Sequence, residues 1–599
     1  MKKNTFFLFV FLILVTALLM GILTVPTHAK ERLDRGTVAI QTHEGVFTSW
    51  RIMPGEEGAV FTLLRDGKPI ARLDASTGTN YLDRDGKSDS VYSVRLGEEG
   101  SPAVKVWKDG FLTLTLDMPA EQTMPDGSVC QYRPNDMSCA DLDGDGQFEL
   151  IVKWDPTNSH DNAHNGYTGT TFLDAYTLDG TKLWRVDLGV NIRSGAHYSP
   201  FLVYDFDGDG KAELICKTAD GTVDGQGHAL GDPRADYRDK NGRVLDGPEF
   251  LTVFDGRTGA AVCTIDYPAP RTIRRMDRSR DGWGDDYGNR CDRFLACAAC
   301  LDGKRTSVVF CRGYYTSAYV MAFDFNGKDL KLRWIHKSET PGEGLYGEGN
   351  HSLAVGDLDG DGRDEIVYGA AALDDDGTVL YRTGLGHGDA LHLFASGADE
   401  KLYVFDVHED KNADYGMEVR SADGAILWGV HAGFDVGRGL AADVDPNHPG
   451  YEVWSHAADG LWTLDGKKIS DRRPSQNFRI YWDGDLQDEL LDRGNIDSWQ
   501  TGRLATFWKL NHSTTINGTK SNPNLQADIL GDWREEVILY NAENPAQINI
   551  FPTTIPTRYR VPCLMTDHVY RMSIVWQNVG YNQPPHLGRY LPEMAKKSR

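Results

Sequence analysis

The feature that most constrains this chain is a unit written several times over: DLDGDGQFELIV from Asp141, DFDGDGKAELIC from Asp205 and DLDGDGRDEIVY from Asp357. Each sets carboxylates at alternate positions of a Gly-rich loop and then runs into an apolar segment. Looser copies stand at CLDGKRTSVV from Cys300, DVDPNHPGYEV from Asp443, YWDGDLQDEL from Tyr481 and DILGDWREEV from Asp528. Short apolar runs precede the units (FLVY, SLAVG, GLAA, FRIY), and hairpins such as FLDAYTLDGTKLWRVDL and FLTVFDGRTGAAVCTI follow. Repetition at spacings of 47 to 64 residues signals a stacked or radial architecture. Four strands per unit, joined by DG and NG turns, are what a propeller blade requires. The 469 residues beyond position 130 supply about 59 per blade for eight blades, with seven as the alternative count.

The remaining chain falls into two parts. Residues 1–29, MKKNTFFLFVFLILVTALLMGILTVPTHA, combine two lysines, a long apolar run and a small-residue site, and read as a signal peptide, with an uncleaved anchor as the alternative. The mature chain is therefore expected to be secreted. Residues 30–128 alternate apolar and polar positions between turn signals (VFTSW, AVFTLLRDGKPI, SVYSVRL, AVKVWKDGFLTLTL), as in a small fibronectin type III-like β-sandwich. The fold class is thus all-β, a β-sandwich followed by an eight-bladed β-propeller over 129–599. Nine cysteines, an odd number and mostly inside apolar runs, read as buried thiols; Cys297 and Cys300 sit three apart in a strand and point to opposite faces.

The crowded carboxylates need a partner. Asp141, Asp143 and Asp145 can converge because Gly144 and Gly146 permit the tight turn, Glu149 closes the cage, and the Gln147 carbonyl adds a ligand. Asp205, Asp207, Asp209, Lys211 and Glu213 repeat that pattern, as do Asp357, Asp359, Asp361, Arg363 and Glu365; Asp443 and Asp445 open a looser one. Hard oxygen donors in that number suit several Ca²⁺ ions. The closing acid comes at position nine and a strand follows, which departs from the EF-hand. The formal net charge of −24 is then partly neutralised by bound cations. With no basic stripe or aromatic ladder, nucleic acid is excluded as a partner, and no protein partner is called for. An anionic polysaccharide remains compatible if cations or local Lys and Arg line its cleft.

Longer stretches narrow the reading: KWDPTNSHDNAHNGYTGTTFLDAYTLDGTKLW, GLYGEGNHSLAVGDLDGDGRDEIVYG, GLGHGDALHL, DVGRGLAADVDP and NGTK. Together they resemble rhamnogalacturonan lyases of polysaccharide lyase family 11 over about residues 37–590. The resemblance implies a calcium-loaded eight-bladed propeller that cleaves pectic rhamnogalacturonan I by β-elimination at galacturonic acid. It carries Lys520 and Arg438 as the basic catalytic groups. Asn517, Gly518, Thr519, Asn135, Asp155 and Tyr581 match its substrate contacts. Asp136, His351 and His387 match functional positions and are placed with the cation ligands, the two histidines being equally suited to substrate. Lacking those motifs, the acidic loops would also fit a noncatalytic carbohydrate-binding or adhesive propeller.

Overall fold

The computed structural model describes residues 31–580 and 583–597. The expected signal peptide and Tyr581 lie outside the described residues. The described chain is all-β apart from short helical turns and two α-helices, α1 (His568–Trp576) and α2 (Leu591–Lys597).

Burial alternates most clearly along Val91–Leu96, while Gly45–Ser49 is buried throughout; with Val38–Thr42 and Phe61–Arg65 these strands pack on a local core of Trp50, Phe61, Leu63, Tyr92 and Val94. These strands join in one hydrogen-bonded path through the pairing of Val91 and Tyr92 with Lys105 and Val104. The unit docks on the C-terminal part of the chain. Arg51 donates to the Ile529 carbonyl at 2.5 Å, and the Arg560 guanidinium donates to the carbonyls of Ala59, Asp74 and Thr77.

From Tyr132 onward the chain forms seven successive antiparallel sheets of four strands and a last one of five, which includes the short strand Ser513–Thr514. The first comprises Tyr132–Ala140, Glu149–Pro156, Phe172–Tyr176 and Lys182–Asp187; the first strands of the others begin at Phe201, Ala296, Gly349, Gly388, Gly439, Phe478 and Leu525. The fourth and fifth sheets touch through a parallel bridge between Asn350 and Gly388. The eighth sheet takes a strand from far upstream: Leu112–Thr115 pairs antiparallel with Gln547–Phe551. This corrects the expected domain boundary at residue 128, because Leu112 and Leu114 belong to the last sheet and not to the N-terminal unit.

The inner strands, such as Glu213–Ala219 and Ser307–Arg312, are buried on both faces, whereas outer strands such as Ala261–Asp266 are half-exposed, so adjacent sheets share cores through their inner strands. Helix α1 was not legible as a helix. Every residue from Val569 to Trp576 is buried, so the segment shows no polar stripe. It fills the middle of the assembly: Met572, Val575 and Trp576 join the core of the second to fourth sheets, while Tyr570 and Ile574 join that of the first and eighth. All nine cysteines are free, eight of them buried, as expected of core thiols.

Candidate functional site

The acidic loops link the first and second strands of their sheets, and their geometry repeats. In each full copy both oxygens of the first aspartate accept glycine N–H bonds: Asp141 from Gly144 (2.7 Å) and Gly146 (2.8 Å), Asp205 from Gly208 (2.7 Å) and Gly210 (2.9 Å), Asp357 from Gly360 (2.7 Å) and Gly362 (3.0 Å), and in the first two copies Oδ1 also takes the N–H of Asp145 or Asp209. The third aspartate accepts the N–H of Gln147, Lys211 or Arg363 at 2.8 to 2.9 Å. The closing glutamate opens the second strand, and its Oε2 accepts the N–H of the residue seven positions back: Glu149 from Leu142, Glu213 from Phe206, Glu365 from Leu358. Three looser copies keep this clamp, through Glu489 to Trp482 and Glu536 to Ile529 at the same offset and Glu452 to Val444 at eight positions. The Cys300 copy does not; its backbone N–H is taken by Asp364.

Whether these residues fit a cation can be judged from their electrostatics. Burial, reinforced by the neighbouring aspartates, pushes Glu149 and Glu365 up to about 8 and Glu213 and Glu452 up to about 9. Glu365 Oε1, Glu452 Oε1, Asp443 Oδ1 and Asp528 Oδ1 are buried without a hydrogen-bond partner among the described residues. Asp141, Asp143 and Glu149 bring ligand atoms within 4.8 Å of one another, as do Asp205, Asp207 and Glu213, and Asp357, Asp359 and Glu365. All-oxygen donor sets with unmet negative charge fit a hard cation. Asp445 is hydrogen-bonded by Asn447 and stands 3.1 Å from His448.

The first strands carry the chain away from a second, quite different cluster at their other ends. Lys520 Nζ lies 3.0 Å from Asp389 Oδ2 and 3.4 Å from the Gly437 carbonyl. Lys520 belongs to a 3₁₀ turn, Gly518–Lys520, flanked by two left-handed non-glycine residues, Asn517 (φ 57°) and Ser521 (φ 52°), and closed by a bridge between Ile516 and Asn522. A backbone held in that region is a strained one. The NG pair is therefore not a plain hairpin turn; it bends the loop so that Lys520 reaches Asp389 and the Gly437 carbonyl. Arg438 enters from the connection before the sixth sheet. Its Nη2 donates to Thr519 Oγ1 (3.2 Å), its Nε to Asn477 Oδ1 (3.1 Å) and its Nη1 to the Gly437 carbonyl (2.7 Å). Burial lowers the Lys520 pKa; Asp389 opposes that and Arg438 adds to it. Asp389 is raised, again chiefly by burial, so desolvation acts against both charges of the pair.

His351, His387, Asp389 and Glu409 gather ligand atoms within 4.8 Å of one another. His351 Nε2 is 3.2 Å from Asp389 Oδ1 and 3.2 Å from the Tyr315 hydroxyl, and its Nδ1 is 3.0 Å from the Tyr314 hydroxyl. Burial first, then His387, His197, Arg293 and Lys520, drives His351 well below its ordinary value. It is thus a neutral imidazole, the form that ligates. His387 Nδ1 sits 2.5 Å from the Gly349 carbonyl, which turns Nε2 toward Glu409 at 3.5 Å.

At the start of the first sheet Asn135 Nδ2 donates to Asp155 Oδ2 (2.6 Å), both residues being buried. Asp136, expected with the cation ligands, instead has one oxygen taken by the buried Lys153 ammonium (2.6 Å) while the other accepts from Asn517 (3.3 Å). That bond ties the NGTK loop to the first sheet. Reading the sequence missed Asp389, Glu409, Lys153 and Asn477. Asp389 alone had a signal, two residues after His387 in GLGHGDALH. A cleft of about 710 Å³ opens over Arg438, Thr519, Asp389 and Asn477.

Comparison with known proteins identifies the family. The C-terminal domain of rhamnogalacturonan lyase family 11 matches residues 111–599, and the β-sheet domain of rhamnogalacturonan I lyases matches 28–107, so the division falls just before Leu112. The rhamnogalacturonan exolyase YesX of Bacillus subtilis (strain 168) is 51% identical over 594 residues, 95% of this chain and 96% of that protein. The rhamnogalacturonan endolyase YesW of the same organism is 48% identical over 606 residues, 98% and 96% of the two. The crystal structure of YesW superposes with a TM-score of 0.89 at 49% identity over 94% of this chain and 97% of that one. A Bacillus licheniformis rhamnogalacturonan lyase does so with 0.89 at 50% identity over 94% and 97%. This chain belongs to rhamnogalacturonan lyase family 11.

Proposed function

We propose that the chain cuts the rhamnogalacturonan I backbone internally, by β-elimination at galacturonic acid, and that it works outside the cell. The observation that carries the mechanism is the convergence of Lys520 and Arg438, from two connections 82 positions apart, on one cleft through Thr519. The C5 proton of a uronate is weakly acidic. Removing it requires a base, charge beside the carboxylate and a stabilised leaving oxygen. Lys520, lowered by burial, takes the proton as the neutral amine. Arg438, fixed by Asn477 and Thr519, offers a planar fork to the uronate carboxylate. Asn517, Gly518, Thr519, Asn135, Asp155 and Tyr581 orient the sugars.

The eight sheets are read as the blades of a propeller, closed by the strand Leu112–Thr115, with the N-terminal strands folded into a sandwich upon it. The oxygen donors of the acidic loops select Ca²⁺ as their ion. His351, His387, Asp389 and Glu409 would hold a further cation, which when bound supplies positive charge beside the cleft. Internal cutting is the reading taken from the sequence, which shows no obvious extra insertion; relatives of similar identity include one named as an endolyase and one as an exolyase. The leader MKKNTFFLFVFLILV supports export.

Incubation with rhamnogalacturonan I tests the reaction. Ultraviolet absorbance should rise as conjugated uronates form, with a broad early range of product sizes. New reducing ends without that absorbance would mean hydrolysis, and early release of only the smallest products would mean attack from an end.

A further inference from the structure

The cleft above Lys520 holds more cationic groups than the elimination uses. Besides Arg438 it is lined by Arg473 and Arg493. Arg493 is exposed and forms no ion pair among the described residues, while Arg473 is half-buried and reaches only the Ser455 carbonyl (3.2 Å) and the highly exposed Asp459 (3.7 Å). Of the carboxylates of the same cleft, Asp389 stands on Lys520 and Asp492 accepts from Asn477 (2.6 Å), while Asp435 lines the cleft as an exposed residue.

The backbone at Arg493 adds an independent observation. Asp492 and Asn495 face each other across the hairpin of the seventh sheet, so Arg493 and Gly494 are its two turn residues, with φ of 50° and 67°. Two positive φ angles make a type I′ turn, whose first position favours Asn or Asp; a long side chain there is held in an unfavourable left-handed conformation. Local turn chemistry therefore does not call for arginine at 493. A strained non-glycine residue at the rim of a cleft points to use of its side chain.

We propose that Arg493 and Arg473 form a subsite for the carboxylate of a second galacturonate residue, one or more repeats from the bond being cut. The inference rests on the lyase reading above and extends it. A regular rhamnogalacturonan carries one carboxylate per disaccharide, so a chain anchored at Arg438 presents the next one at a fixed spacing, and a guanidinium pair can receive it by charge-assisted hydrogen bonds. The subsite adds affinity for long chains and leaves the chemistry at Lys520 untouched.

The decisive variant is Arg493→Asn, because asparagine suits the turn better than arginine and the fold is not at risk. Its Tm should equal or exceed that of the wild type, while KM for long rhamnogalacturonan rises about tenfold or more and kcat changes little. Arg473→Gln should act in the same direction. Calorimetric titration of the Lys520→Ala protein, with and without Arg493→Asn, should show the same loss for long oligosaccharides and none for the shortest cleavable one. An unchanged KM for long chains, or an equal rise for long and short ones, overturns the subsite while the lyase reading stands. A wild-type protein that forms no unsaturated uronate overturns both.

Discussion

The two ends of the first strands make an instructive pair. At one end the acidic loops place their carboxylates mainly by bonds to nearby backbone, and the same bond, glutamate to an N–H seven or eight residues earlier, recurs from Glu149 to Glu536. At the other end similar residue types are held by side chains from distant positions: Asp136 by Lys153 and Asn517, Asp389 by Lys520 and His351, Asn477 by Arg438. The loops are built by local sequence and repeat because the sheets repeat. The cleft exists only once the sheets have come together, and none of its contacts repeats. Stability should therefore live at the first end and chemistry at the second, with little cross-talk.

Removing cations puts the largest strain on that division. Each loop that binds a cation in the folded state contributes about 2.7 kcal/mol at a hundredfold excess over Kd, so chelation across several loops should lower Tm by many degrees or unfold the protein. Thermal melts with and without chelator measure this. A Tm indifferent to chelator would leave the carboxylates without their partner and break the first half of the comparison.

Lys520→Ala probes the other half. Loss of one general base costs about 10² to 10⁴ in rate, so kcat should fall by that much while Tm and cation content stay at wild-type values. Lys520→Arg should not restore it, since guanidinium keeps its proton throughout the working range. Arg438→Lys should cost less, about ten- to a hundredfold in kcat/KM, because a single ammonium cannot replace the fork that spans Asn477, Thr519 and the uronate. The pair of variants assigns the roles: if Lys520→Ala keeps most of its kcat and the Arg438 change abolishes it, the base is Arg438.

The same contrast explains what the sequence disclosed. The loops and their hairpins were legible because their chemistry is contiguous: Asp, Gly and Glu at fixed offsets. Even the looser copies at Asp443, Tyr481 and Asp528 keep the glutamate clamp. Lys153 and Asn477 were invisible, since their meaning depends on partners that no local pattern specifies. Leu112–Thr115 read as one more strand of the N-terminal unit because strand propensity says nothing about the partner, which lies beyond residue 546. Helix α1 was hidden by its own burial, which removes the polar face that periodicity detects.

The smallest effect is also the sharpest, because it changes sign. Glu213 is buried beside Asp205, Asp207 and Asp209, and its carboxyl is pushed up to about 9 by burial above all. A folded-state value above the unfolded one means that, between about pH 4.5 and 9, the folded cation-free protein holds a proton that the unfolded chain has released. Stability in chelator should therefore fall as pH rises through that window, by at most about 1.4 kcal/mol per pH unit for this one group. Glu213→Gln removes the titration without removing the acceptor for the Phe206 N–H. In chelator at pH 8 the variant should melt at or above the wild type, with a flatter dependence of Tm on pH. With calcium present it should melt below the wild type, because the loop has lost a charged ligand while the fold has lost nothing else. Melts of both proteins at pH 5, 7 and 9, each with calcium and with chelator, read the crossing. If the variant is weaker than the wild type under all six conditions, Glu213 acts as a packing residue and the uniform electrostatic reading of the loops fails at its second copy.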